Sequence, residues 1–201
     1  VRSGIYGKIL VIGAETLSKT IDWSDRSTCV LFGDGAGAVV IASSAGDKGI
    51  SAIRLLSDGS RSDCLTLPAL PLANPYVNSG QNQRSYISMK GQEVFKFAVR
   101  TIVELINDIL KEAELTMDEI RHVIAHQANY RIIEQAAKAL EMPVEKFYVN
   151  IDKYANTSAA TIALALDEMN KAGLLVKKDK IILIGFGGGM TSGAILLEWS
   201  K

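Results

Sequence analysis

The stretch from residue 155 to residue 166 contains no charged side chain, and it constrains the fold more than any other feature of the sequence. We predict a helix over residues 157–172, with Gly173 at its end because glycine readily takes the left-handed conformation found there. A helix half without charge must be covered on every side. Such a helix fits a layer between two sheets better than a surface crossover.

Strand-like segments alternate with predicted helices along the rest of the chain. Short apolar runs predict strands over residues 8–13, 29–32, 38–41, 50–56, 122–126, 180–185 and 192–199. Apolar residues at helical spacing predict helices over residues 91–113 and 130–140. Residues 58–85 hold three of the four prolines and predict a long irregular connection. The alternation indicates an α/β fold.

The composition argues against several classes of function. Lys plus Arg and Asp plus Glu each number 22, so no bulk charge draws the chain to nucleic acid or to an anionic membrane. No apolar run approaches the roughly 18 residues of a membrane span. Two histidines and two scattered cysteines cannot assemble a metal cluster, and such cysteine usage fits a reducing cytosol. We expect a cytoplasmic protein without a metal.

Two glycine-rich stretches, residues 33–37 and 185–189, each follow a predicted strand. A dinucleotide site needs a helix directly after the glycine turn, since the helix N-terminus holds the pyrophosphate. Both stretches lead into another strand instead, which is typical of a tight turn or of a close backbone approach. A nucleotide-binding module therefore stays only as a distant alternative.

Two polar residues stand where α/β enzymes often place their chemistry. His126 ends a predicted strand just before a helix, at the carboxyl edge where catalytic side chains gather. Asn156 precedes the uncharged helix, where it also has a structural explanation as a helix N-cap, in competition with Thr157 and Ser158. Spacing alone leaves a structural role the commoner explanation for both residues.

A family resemblance rests on four motifs, which are Gly33-Asp-Gly-Ala-Gly-Ala38, His126-Gln-Ala-Asn129, Asn156-Thr-Ser-Ala-Ala160 and Gly185-Phe-Gly-Gly-Gly189. They occur in the order and approximate spacing of the thiolase-like condensing enzymes. Within that superfamily the chain resembles β-ketoacyl-acyl carrier protein synthase III over essentially its whole length. The elongating synthases would place a second histidine where Asn156 stands, and hydroxymethylglutaryl-CoA synthase would need a glutamate that is not suitably placed here.

The resemblance implies a five-layered αβαβα fold built from two similar halves. Residues 1–44 would be the end of the first half, and residues 45–201 would be the complete second half. The uncharged helix would then lie between the two sheets, in agreement with its composition. Family members are homodimers, so the resemblance also implies a homodimer.

The resemblance further implies a decarboxylative condensation of an acyl-CoA primer with malonyl-acyl carrier protein, which initiates type II fatty-acid synthesis. His126, as a neutral imidazole, and Asn156, through its amide NH₂, match the two family residues that stabilise the enolate. The backbone N–H of Gly188 is our candidate for the acyl-side oxyanion hole. No cofactor is implied, since coenzyme A belongs to the substrate.

The remaining matches follow the path of coenzyme A. Arg26 matches a residue near the adenine, Asn129 and Phe95 match positions along the pantetheine tunnel, and Phe32 matches a position near the acyl end. Arg131 matches a basic residue at the tunnel mouth that receives the acidic carrier protein, where a local cation would serve even in a chain without net charge.

The family's nucleophilic cysteine has no match in this chain. Cys29 lies in a predicted strand as a core residue, and Cys64 lies in a predicted irregular loop. We therefore expect the nucleophile upstream of Val1, on a helix that ends near Gly4, and we expect residues 1–201 to be inactive without the N-terminal part of the same enzyme. Two alternatives stay open, which are a starter-unit enzyme of polyketide or quinolone synthesis and a non-catalytic thiolase-like interaction subunit.

Overall fold

The computed structural model describes residues 1–43, 49–69, 76 and 85–200, so the expected boundary between residues 44 and 45 lies outside the described residues. The strands are β1 (Lys8–Glu15), β2 (Gly35–Ala42), β3 (Ile50–Ser57), β4 (Leu65–Thr66), β5 (Ser88–Met89), β6 (Ile120–Ala125), β7 (Lys180–Gly187) and β8 (Thr191–Glu198). The helices are α1 (Gly91–Ala113), α2 (Tyr130–Ala139), α3 (Ile151–Tyr154) and α4 (Thr161–Lys171).

The larger sheet has the strand order β3-β8-β7-β6. β6 runs parallel to β7, and β8 runs antiparallel to both β7 and β3. The central strand β7 is apolar on both faces, with Ile181, Ile182 and Ile184 each 0% exposed. A continuous apolar run of this kind is typical of a strand that is covered on both sides.

Helices α1 and α2 pack against one face of this sheet, and α4 packs against the other. On the first face, Ile102 and Leu105 of α1 lie in one core cluster with Val123 and Ile182. On the second face, Met169 of α4 lies in a separate cluster with residues of β6 and β7. The predicted helix over residues 91–113 is confirmed, because its apolar residues form the single buried stripe that a surface helix needs.

A smaller antiparallel sheet of β1 and β2 covers the side of α4 that faces away from the larger sheet. Glycines make the close approach possible, since a Cβ atom on Gly37 would lie 2.7 Å from the Cβ atom of Ala163. A Cβ atom on Gly13 would lie 2.2 Å from the carbonyl oxygen of Ala159. The predicted position of the uncharged helix between two sheets is therefore confirmed.

Burial of that helix on every side is not observed within the described residues. Ile162 and Leu164 are only partly buried. On the smaller sheet, the face turned away from α4 exposes 58% of Leu10, 62% of Ile12 and 66% of Val40. The described residues thus form four layers, namely α1 with α2, the larger sheet, α4 and the smaller sheet, and no described helix covers the outer face of the smaller sheet.

The strand predicted over residues 29–32 is wrong. Asp25 begins a turn there, because its backbone oxygen accepts from the N–H groups of Thr28 and Cys29, and its carboxylate accepts from the Thr28 hydroxyl. Aspartate favours such turns through these side-chain bonds. Only Phe32 pairs in the manner of a strand, through a single bridge to Asn156.

Part of the connection predicted over residues 58–85 is described. It contains a short 3₁₀ turn at Gly59–Cys64 and the strand β4, which pairs with β5, while residues 70–75 and 77–84 lie outside the described residues. Residues 1–4 form a turn in which Gly4 has a φ of +76°. No helix in the described part of the chain is long and apolar enough to cross a membrane.

Candidate active site

His126 directly follows β6, at the carboxyl end of the parallel pair β6 and β7. Its backbone N–H donates to the carbonyl oxygen of Ile184 at 2.8 Å, and its own carbonyl oxygen accepts from the N–H of Ala128 at 3.0 Å. Both backbone polar groups of His126 are therefore paired. The β-ladder fixes the Cα atom and sets the direction in which the imidazole leaves the sheet.

The imidazole of His126 is buried and neutral. The residue is 9% exposed, and burial lowers the pKa of its ring from 6.5 to about 4. The ring meets that of Phe186 edge to face, with 5.1 Å between the centroids and 72° between the planes. No described residue is hydrogen bonded to the ring nitrogens of His126, so a neutral ring has one N–H to offer to a ligand.

Asn156 lies in a turn of unusual backbone conformation just ahead of α4. Its neighbours Ala155 and Ser158 have positive φ angles of 57° and 48°. The backbone N–H of Asn156 donates to Leu31 and its carbonyl oxygen accepts from Gly33, each at 2.9 Å. Positive φ at residues other than glycine is costly and persists only where the surroundings impose it.

The amide of Asn156 is oriented by its own turn. Its Oδ1 accepts from the backbone N–H of Ser158 at 2.9 Å, so the amide NH₂ points away from that bond. No described residue accepts from this NH₂. The predicted N-cap role of Asn156 is wrong, because Thr157 is the N-cap of the 3₁₀ turn Ser158–Ala160 and Ala160 is the N-cap of α4, and neither cap makes a side-chain hydrogen bond. The bond to Ser158 occupies only the oxygen of the Asn156 amide. The donor end stays available.

Gln127 and Phe186 are further functional candidates, and the sequence analysis gives neither of them a role of its own. The backbone N–H of Gln127 donates to the Thr161 hydroxyl at 3.1 Å and so joins the His126 segment to the start of α4. Phe186 packs against the His126 ring. Both residues stand inside quoted motifs, but no local pattern reveals their partners, which are distant in sequence.

Gly188 lies two residues beyond Phe186, in the tight turn between β7 and β8. Its carbonyl oxygen accepts from the Thr191 hydroxyl at 3.1 Å. The following residues Gly189 and Met190 have φ angles of 71° and 49°. No described residue accepts from the Gly188 N–H, so the predicted oxyanion-hole donor is free, and its catalytic role stays a prediction.

Asn129 and Arg131 lie together at the start of α2. Asn129 is the helix N-cap, and its Oδ1 accepts from the N–H of Arg131 at 2.9 Å. The side chain of Arg131 is exposed. Phe95 of α1 is half-buried and lines a groove of about 490 Å³ between α1 and α2, together with Gln135 and Ala139. The roles of Asn129 and Phe95 in binding pantetheine, and of Arg131 in binding the carrier protein, stay predictions.

The two remaining predicted residues, Phe32 and Arg26, differ in burial. Phe32 is half-buried and bridges Asn156 directly. Arg26 is exposed in the turn that Asp25 begins. The structure thus joins Phe32 to Asn156 and Phe186 to His126, whereas Arg26 belongs to the protein surface, where contact with a nucleotide stays a prediction.

The two cysteines differ from expectation in their burial, although Cys64 lies in the irregular connection as predicted. Cys64, predicted in an irregular loop, is 5% exposed and packs with Phe97 and Met190. Cys29, predicted in the core, is only partly buried because its segment is a turn. Neither thiol is hydrogen bonded to His126. Within the described residues, no group of three or more His, Cys, Asp or Glu side chains could hold a metal ion.

Comparison with known proteins gives one consistent result. Residues 1–59 match the family described as 3-oxoacyl-[acyl-carrier-protein (ACP)] synthase III, and residues 110–199 match its C-terminal domain. The chain is 50% identical over 198 residues to the β-ketoacyl-[acyl-carrier-protein] synthase III of Clostridium kluyveri, which covers 98% of this chain and 61% of that protein. The chain therefore spans about three fifths of the length of this relative.

Solved structures agree with these matches. The crystal structure of 3-oxoacyl-[acyl-carrier-protein] synthase III from Aquifex aeolicus superposes with a TM-score of 0.88 at 45% identity, over 98% of this chain and 60% of that chain. The priming β-ketosynthase from the R1128 polyketide biosynthetic pathway also gives a TM-score of 0.88, at 32% identity over 99% of this chain and 59% of that one. The thiolase-like α/β fold is thereby confirmed.

Proposed function

Because the chain belongs to the 3-oxoacyl-[acyl-carrier-protein] synthase III family, we propose that it supplies His126 and Asn156 to a decarboxylative condensation. The reaction joins an acyl-CoA primer to malonyl-acyl carrier protein, gives a 3-ketoacyl-acyl carrier protein and initiates type II fatty-acid synthesis. The observation that carries the proposal is the pair of polar residues, each 9% exposed, whose donor groups have no partner among the described residues.

The first chemical step needs both donors. The bond between the malonyl α-carbon and its carboxylate breaks, CO₂ leaves, and the electron pair forms an enolate with its charge on the thioester oxygen. A neutral imidazole N–H and an amide N–H donate to that oxygen more strongly as the charge develops, which is the condition for catalysis. The pKa of about 4 keeps His126 neutral at pH 7, and burial is the cause.

The second step forms the new carbon–carbon bond. The enolate carbon attacks the carbonyl carbon of an enzyme-bound acyl thioester, the carbon–sulfur bond breaks and the cysteine leaves as a thiolate. The Gly188 N–H is our candidate donor to the oxyanion of this step. Cys64 is an unsuitable nucleophile, because its thiol is enclosed by Phe97 and Met190.

We propose that the nucleophile belongs to a part of the family fold beyond the matched residues, and that residues 1–201 alone do not catalyse the condensation. An uncovered apolar strip supports this proposal. Ile53 and Leu55 of β3 lie on the face of the larger sheet that packs against α4, yet they are 51% and 78% exposed. A second apolar helix in that position would lie beside α4 and between the two sheets.

We expect the substrate to approach His126 and Asn156 with its coenzyme A portion against Arg26, Phe32, Phe95 and Asn129. Because coenzyme A is part of the substrate, we propose that the enzyme needs no separate cofactor. The exposed Arg131 offers a cation to the acidic carrier protein at the start of α2. We further propose that the enzyme acts as a homodimer in the cytoplasm.

The test uses the full-length protein with acyl-CoA and malonyl-acyl carrier protein, and it measures the release of CO₂ and the 3-ketoacyl product. His126→Ala is expected to lower the rate on the order of 10²–10³-fold, the usual effect of removing one donor to a developing oxyanion. His122→Ala is the matched control and should retain the rate. An active His126→Ala protein would rule out the proposed role, and an inactive natural protein would favour the non-catalytic interaction subunit.

A second candidate is a priming enzyme of polyketide synthesis. The similarity to the R1128 priming β-ketosynthase favours it, since that enzyme is matched at 32% identity. The chemistry at His126 and Asn156 would be the same, so the primer distinguishes the two. Comparison of kcat/KM over a panel of acyl-CoA primers, with the product followed onto fatty-acid and polyketide carrier proteins, would assign the pathway.

A further inference from the structure

The side chain of Gln127 is almost fully hidden from solvent and uses both ends of its amide. It is 1% exposed. Its Nε2 donates to the carbonyl oxygen of Ala125 at 2.8 Å and to that of Tyr148 at 3.1 Å. Its Oε1 accepts from the backbone N–H of Asn150 at 3.2 Å. Both N–H donors and the oxygen are thus engaged, which no apolar residue of equal size could reproduce.

These bonds fix the backbone on either side of His126. The carbonyl oxygen of Ala125, which precedes His126, accepts from the Gln127 side chain. The N–H of Gln127, which follows His126, donates to the Thr161 hydroxyl at 3.1 Å. Together with the bond from His126 to Ile184, they leave the peptide units around the imidazole little freedom to rotate.

The same amide also reaches the segment that carries Asn156. Asn150 immediately precedes α3, and the N–H of Ala155 closes that short helix onto Ile151 at 2.8 Å. Asn150 is held a second time, because its Nδ2 donates to Glu168 of α4 at 2.9 Å. The helix α3 therefore connects Asn150, which is hydrogen bonded to Gln127, with the turn that contains Asn156.

We propose that Gln127 is a positioning residue that fixes the distance between the His126 and Asn156 side chains, so that both can donate hydrogen bonds to one enolate oxygen. The inference rests on the proposed function of those two residues. Gln127 would touch no substrate and would act through the backbone of its neighbours. Misplacement of a reacting group by 1 Å can cost about 10²-fold in rate, so the positioning can matter greatly without any contribution to binding.

The first test compares two substitutions in the full-length protein. Gln127→Leu should lower kcat for malonyl-thioester decarboxylation about 10²-fold, with KM changed by less than about threefold. Thr161→Val removes one of the bonds at nearly constant volume and should cost about tenfold. The controls Asn107→Leu and Asn107→Asp alter an exposed amide about three turns along α1 from Phe95, and both should retain kcat.

The second test uses Gln127→Glu. A neutral glutamic acid can still donate one hydrogen bond to Ala125 or Tyr148, whereas an ionised one repels both carbonyl oxygens. Burial beside carbonyl oxygens raises the pKa of such a carboxyl group. The activity of Gln127→Glu relative to the unsubstituted protein should therefore fall as pH rises, and Gln127→Leu should show no such dependence.

The third readout does not depend on activity. Nuclear magnetic resonance of the His126 ring should give altered nitrogen shifts and an altered pKa in Gln127→Leu, and unaltered ones in Asn107→Leu. A loss of thermal stability with unchanged kcat per folded enzyme and unchanged ring signals would overturn the inference. If His126→Ala stays active while the Gln127 variants still shift the ring signals, the proposed function fails and the positioning stands.

Discussion

The two donors, His126 and Asn156, are held in place in opposite ways. His126 extends the parallel ladder of β6 and β7, and its neighbours Ala125 and Ile184 are 1% and 0% exposed. Asn156 lies between residues of positive φ. Its bridge partner Phe32 ends a different turn segment, in which Val30 is 66% exposed. One donor depends on a regular core, and the other depends on a turn that its surroundings must impose.

This contrast indicates that holding His126 and holding Asn156 in place cost different amounts of free energy. A side chain at the end of a buried strand takes its direction from hydrogen bonds that the sheet makes in any case. The turn at Asn156 carries residues in conformations that cost about 1–3 kcal/mol each, so packing elsewhere must offset them. Disturbance of the core should therefore affect the His126 side first, and relief of strain should be visible only on the Asn156 side.

The largest expected effect is on the core beneath His126. Ile184→Ala should lower the free energy of unfolding by about 2–5 kcal/mol, because it opens a cavity in a fully packed region. Val30→Ala, close to Phe32 in sequence, should change it by no more than about 0.5 kcal/mol. Urea denaturation of both variants would measure the difference, and equal losses would break the contrast between the two surroundings.

The second effect is a pH dependence that only the His126 side should show. Burial lowers the pKa of His126 from 6.5 to about 4. Below pH 6.5 the unfolded chain binds a proton that the folded protein does not bind, so the free energy of unfolding falls as pH drops towards 4. The slope should reach at most about 1.4 kcal/mol per pH unit.

The matched comparison is between the unsubstituted protein and His126→Asn, which has no group that titrates in this range. Subtracting the two denaturation curves at each pH removes the contributions of the carboxylates. His122→Asn serves as a second control, because His122 is less buried, although burial lowers its pKa too. Parallel profiles for the unsubstituted protein and His126→Asn would show that the ring is not buried as a neutral group.

The smallest effect is expected at Ala155, which has φ 57° and ψ −159°, a combination that suits glycine alone. Ala155→Gly should raise the free energy of unfolding by up to about 1 kcal/mol, since the relief of strain exceeds the added chain entropy. Ala139→Gly, at the end of α2, should lower it by about 0.5 kcal/mol. Two variants that shift stability in the same direction would argue against strain at the Asn156 turn.

The parts of the fold that could be predicted from sequence are those governed by local periodicity. The helix α1 matched its predicted bounds, because its buried stripe repeats at helical spacing over the whole of Gly91–Ala113. The strand predicted over residues 29–32 failed, because an apolar run of four residues cannot reveal that the Asp25 carboxylate bonds to Thr28. The helix α4 begins later than predicted because the 3₁₀ turn Ser158–Ala160, whose N-cap is Thr157, precedes it.

The site divides in the same manner. His126, Asn156 and Gly188 could be named as candidates from the motifs that carry the family resemblance, whereas their local positions alone left structural roles the commoner explanation. Their free donor groups could not be predicted, because burial and hydrogen-bond partners are tertiary facts. The bond from Gln127 to Thr161 spans 34 residues of sequence, and no periodic pattern reports a contact of that kind.

The most direct test of the shared enolate is a double-mutant cycle on His126 and Asn156 in the full-length protein, with malonyl-thioester decarboxylation as the readout. His126→Ala and Asn156→Ala should each lower kcat on the order of 10²–10³-fold. If both donate to one oxygen, the double variant should lose far less than the product of the two losses, since residues that act as a unit are strongly non-additive. Strictly multiplicative losses, or an Asn156→Ala protein of undiminished rate, would contradict the account.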